Sequence, residues 1–163
     1  MHPVHDVDAL LLLAMALSSK RRPAELVEIM AAVDLIQGAI PPEAKLVEAF
    51  RRLATHGLLG EDAGRFSLSA DAQAIIAGLT KKTEMAERVF EIRQRLASYN
   101  ATAEHAPIVL TSAQLSDAIR THRASAQGAG KNLLMPKPKT AEPEKKRAGH
   151  WRKPAGAARR RKA

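Results

Sequence analysis

Charge is distributed unevenly along this chain of 163 residues, and the distribution limits how much of the chain can fold. Residues 1–125 carry 14 Lys and Arg against 15 Asp and Glu, whereas residues 126–163 carry 12 against two. A segment made largely of cations, Ala, Gly and Pro has too few apolar side chains to offset the entropy of ordering. The sequence therefore predicts a nearly neutral folded body, followed by a disordered basic tail at residues 126–163.

The composition of the chain favours helices. Apolar residues make up 45% of it, but aromatic residues only 3%. A core must therefore be built from Leu, Ile, Val, Met and Ala, which favour helix over sheet. There is no cysteine, which excludes disulfides, thiolate zinc ligands and a cysteine nucleophile. The expected fold class is mainly α.

The longest apolar run is residues 9–17, which is nine residues long, whereas a membrane-spanning helix needs about 20. Asp6 and Asp8 precede this run and no Lys or Arg does, the opposite of the basic start of a signal peptide. We expect this segment to be a buried first helix, and the protein to be cytoplasmic.

Three helices and a hairpin are predicted in the first 68 residues from apolar spacing and from helix-ending residues. Asp6 or Asp8 caps the first helix, Pro23 begins the second, and the third lies between residues 41 and 57. Strands are expected at residues 58–59 and 65–68, joined by a turn over residues 60–64. Ser69 then caps a fourth helix.

Two further helices are predicted beyond residue 82. The first, over residues 83–99, carries a seam of about two heptads, which packs on the rest of the chain or, alternatively, forms a short homodimer contact. Thr111 and Gln114 form a capping box at the start of the second, whose periodicity is lost by Ala124. The seam consists of Met85, Val89, Ile92, Leu96 and Tyr99.

Residues 46–59 (LVEAFRRLATHGLL) and 61–76 (EDAGRFSLSADAQAII) together resemble the winged helix-turn-helix superfamily, in the general manner of MarR-like and ArsR-like bacterial regulators. The shared pattern is a recognition helix ending in a leucine, then Gly-Leu-Leu, a hairpin, and a Leu-Ser step into the next helix. The resemblance covers about residues 6–79 and identifies no single family. It implies a winged helix-turn-helix domain at residues 1–80, with accessory helices at 81–125 packed on it.

In that superfamily the second helix of the motif enters the DNA major groove, where side chains meet base edges and phosphates. Arginine is well matched to guanine and to phosphate. However, Glu43 and Glu48 reduce the net charge of residues 41–57 to +1, so a solvated face and a protein-binding face remain alternatives. The side chains expected to face the nucleic acid are Lys45, Glu48, Arg51, Arg52, Thr55 and, in the hairpin, Arg65.

The tail carries the stronger electrostatic signal. An extended basic segment can place cations on phosphates without a fixed geometry, and Trp151 is suited to stack on an unpaired base. A solubilising tail or a membrane-surface contact is the alternative, but neither a lipidation motif nor an amphipathic basic helix supports the membrane. Leu133, Leu134 and Met135 form either a short docking motif or a chance cluster. The cations concerned are Lys137, Lys139, Lys145, Lys146, Arg147, Arg152, Lys153, Arg159, Arg160, Arg161 and Lys162.

No catalytic, cofactor or metal site is expected. His2, His5 and Asp6 lack a fourth ligand, the glycines at 128 and 130 follow no predicted strand, and the carboxylates lie on solvated helix faces. We expect a nucleic-acid-binding protein that is not an enzyme, with duplex DNA favoured over RNA and no small-molecule substrate. A transcriptional regulator or chromosome-associated protein fits this expectation. The alternative is an interaction adaptor whose tail anchors it to RNA, ribosome or DNA.

Overall fold

A computed structural model describes residues 3–79 and 83–131, with side chains up to residue 128. This part of the chain is mainly helical, as the composition predicted, and contains a small antiparallel sheet. Residues 132–163, which hold most of the predicted tail, lie outside the described residues. The elements are α1 (Asp6–Ser18), β1 (Ala24–Glu25), α2 (Leu26–Gln37), α3 (Glu43–Thr55), β2 (Leu59–Asp62), β3 (Arg65–Leu68), α4 (Ala70–Ile76), α5 (Met85–Ser98) and α6 (Ser112–Lys131).

Helix α1 forms the centre of the core. Its residues 9–15 are all buried, so it is covered around its whole circumference. Helices α2, α3, α4 and α5 all contact it. None of the helices in the described part of the chain is both long and apolar enough to span a membrane.

Asp8 is a fully buried carboxylate, and the other buried residues of α1 are all apolar. It accepts a hydrogen bond from the backbone N–H of His5 (2.9 Å) and so completes a capping box from the third helical position. The N-cap residue is His5, and not Asp6 or Asp8 as predicted. It also pairs with Arg52 of α3, whose Nη2 lies 2.7 Å from Oδ1. The Arg52 Nε lies 3.2 Å from each carboxylate oxygen. A single side chain therefore caps α1 and holds α3 against it.

The sheet contains a strand that the sequence analysis did not predict. The strand order is β1-β3-β2, and β1 pairs with β3 through Ala24–Phe66 and Glu25–Arg65. The second helix was expected to begin at Pro23 and to include residues 24–25, but α2 begins only at Leu26. Glu25 is extended (φ −82°, ψ 155°), because its backbone pairs with β3 before the helix starts.

The hairpin of β2 and β3 has a tighter turn than predicted. Leu59 pairs with Leu68 and Asp62 with Arg65, which leaves only Ala63 and Gly64 between the strands. Both have positive φ, at 50° and 76°, as a type I′ turn requires. The ring of Phe66 in β3 packs on that of Phe50 in α3, with centroids 5.2 Å apart, and so ties the sheet to this helix.

Helix α5 packs on α1 through its predicted seam, in which Ile92 and Leu96 are fully buried. The other three seam residues are partly buried against the same core. This is the intrachain packing that the sequence analysis favoured.

Helix α6 contacts α2 and α3, and its buried side chains are Leu115, Ala118 and Ile119. The predicted capping box is confirmed, with the Thr111 N–H 2.9 Å from Gln114 Oε1 and the Gln114 N–H 3.3 Å from Thr111 Oγ1. However, the helix continues to Lys131, beyond Ala124, where the apolar periodicity is lost. The added segment has the sequence ASAQGAGK, in which the three alanines favour a nucleated helix and the two glycines oppose it, and residues 124–128 are exposed.

We predict that Asp8→Asn destabilises the protein by about 2–4 kcal/mol, because Arg52 would keep a half-buried charge without its main partner. Asp6→Asn is the matched control, since the Asp6 side chain is 75% exposed and its ion pair with Arg93 lies at the surface. That variant should lower the free energy of unfolding by less than about 1 kcal/mol. Urea unfolding measures the free energy of unfolding of both variants. Equally small losses of stability in the two would contradict a stabilising role for the buried ion pair.

We also predict that Ala63→Asn stabilises the hairpin by about 0.5–1 kcal/mol, because Asn tolerates positive φ better than Ala does. Thermal unfolding should show a melting temperature that is higher by roughly 3 °C. Gly64→Ala is the opposite control and should destabilise by about 1 kcal/mol, since that position also has positive φ. A neutral or destabilising effect of Ala63→Asn would show that this turn is not strained.

Candidate nucleic-acid interface

Helix α3 has one buried and one exposed face. Leu46, Ala49, Phe50 and Leu53 recur at three- and four-residue spacing and are fully buried. The opposite face is formed by Ala44, Glu48, Arg51 and Thr55, with Lys45 beside it. We call these five residues the α3 outer face.

Lys45 and Arg51 are the exposed cations of the α3 outer face. Neither forms an ion pair with another residue that the structure describes. The Thr55 hydroxyl donates to the Arg51 carbonyl (2.8 Å), so in this conformation its proton is used within the helix. The two cations are therefore available to an anionic partner, whereas Thr55 offers only its acceptor lone pairs.

The prediction that Arg52 faces outward is wrong. Only 21% of its side chain is exposed, and it points at α1, where it binds Asp8. Its remaining nitrogen, Nη1, lies 3.3 Å from Glu48. Arg52 was placed outward because its partner lies 44 residues earlier in the chain, a separation at which helical periodicity carries no information. An acidic residue entering a wholly apolar helix was the one available signal, since a buried carboxylate needs a partner.

The hairpin carries more negative than positive charge. Arg65 is exposed, as predicted, but it pairs with Glu25 of β1 at 3.3 Å. Glu61 and Asp62 are also exposed, on the neighbouring strand β2. The hairpin therefore supplies one cation that is already paired at the surface, and an ion pair of that kind is weak enough to be exchanged for a phosphate.

A cleft of about 260 Å³ lies between the start of α1 and the α3 outer face. Its charged lining is balanced, with Asp6 and Glu48 facing Lys45 and Arg52. Asp6 also pairs with Arg93 of α5 at 2.7 Å. This side of α3 therefore has little net field to attract an anion, and any contact there depends on individual side chains.

Trp151 and the cations from Lys137 to Lys162 lie outside the described residues, as does the Leu133–Met135 cluster. Among the residues that are described, no three His, Asp or Glu side chains come together as metal ligands.

No protein-family model, no curated protein and no solved structure matches this chain.

Proposed function

We propose that this protein binds nucleic acid, with duplex DNA as the favoured partner, and acts in the cytoplasm as a transcriptional regulator or chromosome-associated protein. The observation that carries the proposal is the α3 outer face, which presents Lys45 and Arg51 to solvent immediately before the β2–β3 hairpin. Two helices joined by a short connection and followed by a hairpin are the arrangement that the winged helix-turn-helix resemblance implies.

In this proposal α3 enters the major groove and the hairpin approaches the neighbouring phosphates. Lys45 and Arg51 bind guanine edges or phosphates, and Glu48 is suited to accept a hydrogen bond from a cytosine amino group. Arg65 leaves its ion pair with Glu25 and binds a phosphate instead. Arg52 contacts no DNA and instead positions α3 on α1.

The tail supports the same partner. Residues 132–163 carry 11 Lys and Arg against two Glu. Such a segment adds affinity for any phosphate backbone, while sequence preference comes from contacts with base edges. The folded body would then select among sites to which the tail already holds the protein.

An interaction adaptor is the second candidate, and two observations favour it. The charge of α3 is nearly balanced once Arg52 is paired with Asp8 and Glu48. Leu35, Phe90 and Val109 are large apolar side chains that are 75%, 59% and 83% exposed. In that case the body would bind a protein, and the tail would anchor the pair to RNA, ribosome or DNA.

The proposal predicts that Lys45→Ala combined with Arg51→Ala lowers the preference for a selected duplex over random duplex by at least about tenfold. Each good contact with a base edge contributes about 1–3 kcal/mol of discrimination. The site would first be selected from a random library with the full chain, and affinities would be compared by competition at fixed salt.

Arg120→Ala combined with Arg123→Ala is the control, because it removes the same charge from exposed positions on α6. It should slightly weaken binding to both duplexes and leave the ratio of the two affinities unchanged. If the α3 variant behaved like this control, or if no preferred duplex emerged from the library, the adaptor would be the better account.

A further inference from the structure

The loop between α1 and β1 carries three consecutive exposed cations, Lys20, Arg21 and Arg22. Because Ala24 pairs with Phe66, the preceding residues run beside the end of β3 that leads into α4. A groove of about 470 Å³ lies there. The three cations line one wall, and Ser67, Gln73 and Ala77 line the other. We call this the basal groove, since it lies at the end of the sheet opposite the Ala63–Gly64 turn.

The basal groove differs in charge from the cleft between α1 and α3 and from the groove beside the hairpin turn. No Asp or Glu is among the residues that line it in the described part of the chain. By contrast, Asp6 and Glu48 offset the cations of the cleft between α1 and α3. Glu25 and Asp117 likewise offset Arg65 in the groove beside the hairpin turn. The carboxylate of Glu28 lies behind this wall, paired with Arg22, so an anion in the groove would meet Lys20 and Arg21 with no carboxylate among the described lining residues.

Two of the three cations remain available to a ligand. Arg22 pairs with Glu28, whose carboxyl pKa is held below its usual value first by the Glu25 backbone N–H and then, against some burial, by Arg22. Lys20 and Arg21 form no ion pair with any residue in the described ranges. Their charge is not neutralised by the fold.

Compensation of nearby helix dipoles would be an ordinary structural reason for cations here, because α1 and α4 both end at this groove. However, the donors that the structure describes at these helix ends are other groups. Ser18 and Ser19 donate to the Ala14 and Met15 carbonyls near the end of α1 at 2.9 and 2.7 Å. The Arg95 guanidinium donates to the Ile75 and Ala77 carbonyls at the end of α4 at 2.7 Å each. Lys20 and Arg21 are not among the donors to these carbonyls.

We infer that the basal groove is a second nucleic-acid contact, in which Lys20 and Arg21 bind phosphates of the sugar–phosphate backbone. A phosphodiester matches the two available cations. The Ser67 hydroxyl lies beside them, as does the second amide N–H of Gln73, whose Nε2 donates to the Leu68 carbonyl at 3.3 Å. The inference rests on the proposed function and extends it, because this contact is separate from the α3 outer face and reads no sequence.

The test uses the full chain carrying Lys20→Ala and Arg21→Ala, with Arg22 retained because it pairs with Glu28. Binding to a short random duplex is measured over a series of salt concentrations. Loss of two phosphate contacts should reduce the slope of log affinity against log salt by about 1.8. Arg120→Ala with Arg123→Ala, which removes the same charge from α6, should reduce the slope much less, because no phosphate contact is assigned to these residues. Because the groove contacts no base edges, the Lys20/Arg21 variant should lose affinity by the same factor for the selected duplex and for the random duplex.

Backbone amide signals in ¹⁵N spectra locate the contact independently. On adding the duplex, the amides of Ser67, Leu68 and Gln73 should shift in the unmodified chain and not in the Lys20/Arg21 variant. If the chain binds duplex but these amides do not move, or the slope matches that of the α6 control, the groove is not a contact while the proposed function stands. If the unmodified chain binds no duplex, both fail.

Discussion

The position of α3 depends on the ion pair between Asp8 and Arg52, which joins the central helix to the helix whose outer face is proposed to read DNA. Asp8 is fully buried, and burial of a lone carboxylate is costly. Two Arg52 nitrogens and the His5 backbone N–H therefore satisfy its oxygens. The geometry allows little freedom, since rotating α3 about its axis would separate Arg52 from Asp8. Breaking such a pair is more costly than replacing both partners with apolar residues, so the pair acts chiefly as a constraint on orientation.

That constraint determines which charges the body can offer a partner. Arg52 is occupied within the fold, so α3 presents two cations, Lys45 and Arg51, beside Glu48. Lys20 and Arg21 are the corresponding available pair at the other end of the sheet from the turn. These cations and the exposed Arg120 and Arg123 of α6 are scattered over the body and give a modest field, whereas the sequence after residue 131 carries 11 Lys and Arg. The two parts therefore suit different tasks. The folded body holds a few side chains in fixed positions, and the tail supplies most of the positive charge.

Local signals predicted the helices well and the contacts between them poorly. Apolar spacing predicted the helices and the buried face of α3, and the Thr111–Gln114 capping box was found as expected. Strand β1 was missed because two residues are too few to show an alternating pattern, and their extended form depends on β3. Arg52 was misplaced because its partner is distant in sequence. The length of α6 was underestimated because loss of apolar periodicity marks the end of packing and not the end of a helix.

The most direct test of the account is a salt titration of binding to duplex DNA, single-stranded DNA and structured RNA, by the full chain and by residues 1–131. Truncation there keeps every helix and strand described, and circular dichroism confirms that the shorter chain is folded. The account predicts a loss on the order of a thousandfold between low and moderate salt for the full chain, as expected for six or more phosphate contacts. It also predicts that residues 1–131 bind more weakly and with a shallower slope but still prefer duplex DNA. If folded residues 1–131 bound no nucleic acid, the α3 outer face would not be a nucleic-acid interface.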